Sequence, residues 1–146
     1  MRTLRKNKQC MYYSIPSGIR DKYNKDKDGN VKFVEVDGML VPSSAGGKET
    51  SYSEPIKFMA SISSKLNELH AEAYGVSQSD IYSEICLIKG QIPLKYGMKI
   101  WLHNPIEFLI SEENGEPNVD SADYTVKGFM NEFIDYDYIL LQRNDS

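Results

Sequence analysis

The chain has 146 residues, 40% of them apolar and 26% charged, with a formal net charge of −4. That length sets the expectation of a single domain over residues 1–146, burying roughly two-thirds of its unfolded surface, and the acidic balance argues against a dedicated nucleic-acid binder. No run approaches a membrane span, no apolar segment follows the basic start, and Cys10 and Cys86 lack a CxxC. Buried free thiols in a soluble protein of a reducing cytoplasm are expected.

The charge is unevenly spread. Residues 107–146 carry ten acids against two bases and so −8, leaving +4 on residues 1–106. Residues 1–8 form a basic N-terminal arm holding Arg2, Arg5, Lys6 and Lys8 with no acid. Such an arm can contact phosphates or an acidic partner, although a solvated terminus is the plainer reading.

In chain order, Gln9 to Ile15 reads as a first strand that Pro16-Ser-Gly18 breaks. Asn30 to Val36 alternates, and Asp37-Gly38 predicts a hairpin returning through Met39-Leu-Val41. Residues 42–53, rich in Ser and Gly, read as a flexible loop. Pro55 to Ser63 has the period of a strand, through Ile56, Phe58, Ala60 and Ile62. Lys65 to Tyr74 changes period, with Leu66, Leu69 and Ala73 at helical spacing and Gly75 as the stop.

Ser79-Asp-Ile-Tyr82 reads as a turn and Glu84 to Ile88 as a buried strand; Lys99 to His103 is a further strand carrying the only Trp. Ile106 to Ile110 and Tyr124 to Phe129 flank an acidic loop, residues 111–121, and Tyr136 to Gln142 closes the chain. Seven or eight short strands with one short helix and extended loops predict a mainly β protein, a small barrel or sandwich.

No motif argues for an enzyme. Asn24, Asp26, Asp28 and Glu35 fall at positions 1, 3, 5 and 12 of a calcium loop, with Gly29 at position 6. Position 1 is Asn, however, and the segment runs into a strand and an Asp-Gly turn instead of a helix, so a polar hairpin tip is the favoured reading. Gly46-Gly47-Lys48 resembles a phosphate loop only in passing, because Pro42 replaces the first Gly and Glu49 the hydroxyl. His70 and His103 read as surface or rim residues. Glu112, Glu113, Glu116 and Asp120 read as a solvated loop with nothing to raise one pKa. Trp101 reads as a core anchor. No catalytic residue and no cofactor are expected.

Several segments together resemble the small head–tail joining proteins of tailed bacteriophages of Gram-positive hosts. They are Met1-Arg-Thr-Leu-Arg-Lys-Asn-Lys-Gln9 leading into Met11-Tyr-Tyr-Ser14, and Gly29-Asn-Val-Lys-Phe-Val-Glu-Val-Asp-Gly38. Tyr52-Ser-Glu-Pro55, Ala71-Glu-Ala73 with Gly75, and Ile100-Trp101 add to it, and Ser121-Ala-Asp-Tyr-Thr-Val126 with Asn131 and the final strand is the best match. The resemblance implies a head-closure, or stopper, protein of the virion neck with a small β-barrel core and an extended loop. Such a protein is made in the host cytoplasm and assembles as a homo-oligomeric ring under portal and adaptor proteins. The ring retains packaged DNA, which passes without sequence-specific binding, and presents a surface to tail proteins; no membrane is involved. Arg2, Arg5, Lys6, Tyr124, Tyr136 and Tyr138 are the candidate contact residues, and residues 42–53 and the acidic loop 111–121 are both candidates to line the channel. A neck adaptor or tail terminator, or a small module binding DNA or calcium, are the competing readings.

Overall fold

The computed structural model describes residues 8–110 and 115–144. The protein is mainly β, and its centre is a closed six-stranded antiparallel barrel. The barrel strands are β1 (Lys8–Ser14), β6 (Ile56–Ser63), β7 (Tyr82–Ile88), β8 (Lys99–Trp101), β9 (Tyr124–Met130) and β10 (Tyr136–Arg143). They pair in the order β1-β6-β7-β10-β9-β8, and β8 returns to β1. Closure removes the free edges that a short open sheet would present.

Alternation along each strand fills the interior. Met11 and Tyr13 of β1, Phe58 and Ala60 of β6, and Ile85 and Leu87 of β7 point inward. Ile100, Tyr124, Val126, Ile139 and Leu141 complete the wall, and Ile92 and Met98 fill the space from the connection between β7 and β8. Burying each large aliphatic chain contributes about 1.5–3 kcal/mol, and that shared core holds the strands together.

One outward face of the barrel is also covered. Leu140 packs with Leu66 and Ala71 beneath a seven-residue helix, α1 (Glu68–Tyr74). Opposite Leu140 sits Gly128, and a Cβ there would come within 3.5 Å of the Tyr74 ring. That is ordinary van der Waals distance, so the helix lies close over β9 here. The Asn67 side chain accepts from His70 N at one end of α1; at the other, left-handed Gly75 and Val76 donate to Glu72 and Ala71 carbonyls. The buried face is Ala71 and Tyr74, whereas Leu69 is 77% exposed. Sequence spacing therefore finds the helix, which starts at Glu68 and not Lys65, and the buried Leu66, but Leu69 and Ala73 turn outward.

Trp101 is a core residue as expected, its indole N–H donating to Ser121 Oγ at 2.9 Å. β8 stops at Trp101, short of the expected His103, because one oxygen of Asp123 accepts from the backbone N–H groups of Leu102, His103 and Asn104. Ile106 to Ile110 forms only an isolated bridge, Phe108 with Pro117, since the prolines at 105 and 117 supply no N–H.

The largest departure from expectation lies at residues 42–53. Apart from Pro42 at the end of one hairpin strand, this segment is not a free loop but a nine-residue strand, β5 (Ser44–Tyr52), paired antiparallel with β2 (Pro16–Tyr23). Pro16 starts this strand, where the sequence predicts only a break. The chain thus leaves the barrel at Ile15, runs out along β2, and returns along β5 to Ser53. At the far end, β3 (Phe33–Val36) and β4 (Met39–Pro42) form the expected hairpin, with Asp37 and Gly38 both at positive φ, as a tight two-residue turn requires. Residues 16–52 make one long two-part ribbon beside the barrel.

Replacing Ile139, fully buried in the barrel, with Ala is expected to cost about 2–5 kcal/mol. Denaturant unfolding followed by Trp101 fluorescence checks this, and a cost below about 1 kcal/mol would place Ile139 outside the tight core.

Candidate functional site

The ribbon is the element with chemistry to offer, because the barrel strands are all paired. It is joined to the barrel at a small polar hinge. Ser53 N donates to Ile15 O at 2.9 Å, Ile15 N donates to Ser53 Oγ at 3.0 Å, and Ser14 Oγ donates to Ser53 O. Beyond the hinge, β2 and β5 pack on each other and hardly touch the barrel strands. Gly46 and Gly47, both at φ 81°, take up the extra residues where the register jumps between the Asp21–Lys48 and Tyr23–Ser44 pairs.

What holds the ribbon down is Arg20. Its Nε donates to Glu116 Oε2 at 2.8 Å and its Nη1 to Glu49 Oε1 at 2.5 Å, and its guanidinium lies 4.5 Å from the centre of the Tyr23 ring. Glu49 belongs to the ribbon itself. Glu116 belongs to the segment that packs beside it, is 9% exposed, and also accepts from the Tyr52 backbone N–H. Burial works against the charge on Arg20, but the bonds to Glu116 and Glu49 outweigh it and hold its pKa above the ordinary value. Lys25 adds an ion pair to Asp120 at 3.7 Å. Around these contacts lies an open cavity of about 420 Å³ reaching from Arg20 and Tyr52 to Pro117 and Asp120.

The buried Glu116 corrects the solvated-loop reading, which Asp120, with its side chain 79% exposed, still fits. Glu116 and Asp120 are engaged by the ribbon; Glu112 and Glu113 lie outside the described residues. The signal was present in the sequence: Arg20 is the only arginine between Arg5 and Arg143. Arginine's rigid fork suits it to bridging two carboxylates in a half-buried site.

The tip hairpin exposes an apolar face. Its register puts Val34, Val36, Met39 and Val41 on one side, with Val36 50% and Met39 68% exposed. On the other side, Phe33, Leu40 and Pro42 face Phe108 and Leu109 across a cleft of about 410 Å³. A second shallow cleft of about 340 Å³ runs along the barrel wall between Tyr12, Trp101 and Phe108.

Comparison with protein-family models, with curated proteins and with solved structures returns no match. What the chain can do therefore rests on its own geometry.

The remaining predicted site residues fall in separate places. Arg2, Arg5 and Lys6 lie outside the described residues. Tyr124 is 9% exposed and belongs to the core, whereas Tyr136 and Tyr138 are half-buried on β10. Asp26 does not present its side chain as a calcium loop would. Its Oδ1 accepts from Asp28 N and Asn30 N in a polar turn between β2 and the tip, while Glu35 is exposed on β3. Among the described residues no three His, Cys, Asp or Glu side chains come together to hold a metal. Cys10 is exposed, contrary to expectation, because it alternates with the inward Met11; Cys86 is half-buried on the outward face of β7.

His70, expected at the surface, is half-buried against Glu84, with Nδ1 2.7 Å from both carboxylate oxygens. An ionised carboxylate only accepts, so Nδ1 carries the proton. Tyr74 donates to the same carboxylate at 2.7 Å, and the His70 ring packs edge-on against Tyr138. Sequence spacing could not show this group, since its members lie on α1, β7 and β10.

Two pH dependences follow. Burial first, then the bond to Glu84, pushes the Tyr74 phenol far above its usual range. An acid whose folded pKa is raised gives stability that is whole below the unfolded pKa near 10 and is lost as pH rises past it. Stability is expected to fall above about pH 10, and Tyr74→Phe to flatten that fall; an unchanged slope in the variant would contradict the assignment. Hydrogen bonds from the backbone at Asn30, then at Asp28, hold the Asp26 carboxyl below its ordinary value of 3.8. Its contribution to the turn is present above that value and lost as pH falls through the lowered one. Carboxyl NMR titration is expected to place the Asp26 midpoint below 3.8.

Proposed function

We propose that this protein is a non-enzymatic structural component of a tailed-phage neck. It is a head-closure, or stopper, protein that assembles as a ring under the portal and adaptor, retains packaged DNA and offers a docking surface to the tail. The observation that carries this reading is a closed barrel bearing a long ribbon whose tip exposes an apolar face. A closed barrel has no strand edge to pair with a partner, and an uncovered face of Val34, Val36, Met39 and Val41 on the ribbon suits a partner surface. The half-buried Tyr136 and Tyr138 suit a wet contact between subunits.

The acidic-wall idea is narrower than the sequence suggested. With Glu116 buried against Arg20, the charge a DNA channel would meet has to come from the exposed Asp120 and other carboxylates of residues 107–146.

Native mass spectrometry of the protein alone, and mixed with portal complexes, tests the reading. The expected result is a monomer alone and ring-sized additions on the portal. Met39→Lys, at an exposed position, is expected to leave the melting temperature within about 2 °C and to lower portal association at least about tenfold. A protein that never associates with portal complexes would remove the neck assignment.

A further inference from the structure

We propose that the ribbon is a hinged strap, held shut against the barrel by the Arg20–Glu116 contact and able to swing away as a unit. The inference stands on geometry alone and does not depend on the neck assignment.

Three observations carry it. First, the ribbon is internally complete. β2 and β5 satisfy each other's backbone, the tip has its own turn, and Asn24 ties the two parts together through Ser43 and Lys32. Opening would therefore break none of these bonds. Second, its covalent attachment is narrow: the chain enters at Ile15 and leaves at Ser53, and the strands between hardly touch the barrel strands. Third, beyond the root of the ribbon, where Tyr52 donates to Gly97 O at 3.3 Å, the main side-chain contact that closes it is polar and incompletely packed. Glu116 reaches Arg20 and Tyr52 N across the rim of an open cavity, with the more exposed Lys25–Asp120 pair beside it.

Apolar packing of the tip on residues 108–110 adds a closing contribution that scales with area, while the cavity beside Arg20 leaves the polar contact loosely packed. Here one guanidinium bridges the moving element, through Glu49, and the fixed one, through Glu116. Arg20 keeps Glu49 when the strap opens, so its charge is never left without a partner. Glu116 leaves Arg20 and Tyr52 N and gains water. Both end states are thus chemically satisfied, which is what a two-position element needs. Opening uncovers an apolar surface: Val31 and Leu109, each 8% exposed, lie on opposite sides of the cleft between the tip and residues 108–110. The strap guards that surface.

Distance measurement by pulsed electron resonance tests the proposal. Nitroxides are carried on p-acetylphenylalanine at the exposed positions Lys27, on the ribbon, and Lys127, on the barrel, which leaves both native cysteines in place. The parent protein is expected to give one narrow distance. Glu116→Gln is expected to add a longer, broader component, raising the open fraction at least about tenfold, while the barrel still melts cooperatively. Glu49→Gln, a change within the ribbon, is expected to keep the narrow distance. The Arg20→Gln, Glu116→Gln chain removes both charges of the closing contact, leaves only the more exposed Glu49 without its arginine, and is expected to open like the single variant. An unchanged distance in both Glu116 variants would overturn the proposal. Loss of the barrel's cooperative melt in the double variant would overturn it equally, because the contact would then be part of the barrel's own stability.

Discussion

The pairing of β1 on both sides is the constraint from which the rest of the architecture follows. Lys8 to Tyr13 pair with β6, and Tyr12 to Ser14 pair with β8, so one strand closes the barrel. Closure leaves the extension of the β1–β6 pair with nowhere to go within the sheet. Past Ile15 and Ser53 it leaves as a free two-stranded ribbon, and everything distinctive about the protein sits on that ribbon. A ribbon of two strands has too little apolar surface to hold its own position. Its orientation is set instead by one bridging arginine and a carboxylate from the segment preceding β9.

This arrangement separates two kinds of stability. The barrel depends on aliphatic burial, with Met11, Ile85, Ile100, Ile139 and Leu141 all fully enclosed. The ribbon depends on hydrogen bonds between its own strands and on charge at Arg20. Elements of the second kind open locally at lower free energy than the core. That difference suits a part that must be rigid at its centre and adaptable at its contact surface.

The strands with inward alternation were legible in the sequence. Phe58, Ala60 and Ile62, the run from Glu84 to Ile88, and the closing pair all carry the period that one-sided burial imposes, although Ile56, in the same period, is exposed. The Asp37-Gly38 hairpin was legible because only certain residues accept its backbone. The ribbon strand Ser44–Tyr52 was not, because both its faces are largely solvated and no burial writes an apolar pattern into Ser-Ala-Gly-Gly-Lys-Glu-Thr. Its conformation comes from its partner, β2. The helix face was misassigned because Leu69, the most apolar choice, is outward, while the smaller Ala71 fits against Leu140. The Arg20–Glu116 contact joins residues 96 positions apart, and only a solitary arginine hinted at it.

The barrel folds independently of the ribbon. The direct measurement is the thermal unfolding of a chain in which residues 17–51 are replaced by a two-residue Asn-Gly turn, followed by the near-UV signal of Trp101. Ile15 and Ser53 already exchange backbone and side-chain hydrogen bonds, so the junction is short enough to close. The account predicts a cooperative transition with the Trp101 signal intact. A chain that fails to fold, or that loses the Trp101 signal while retaining its strands, would contradict it.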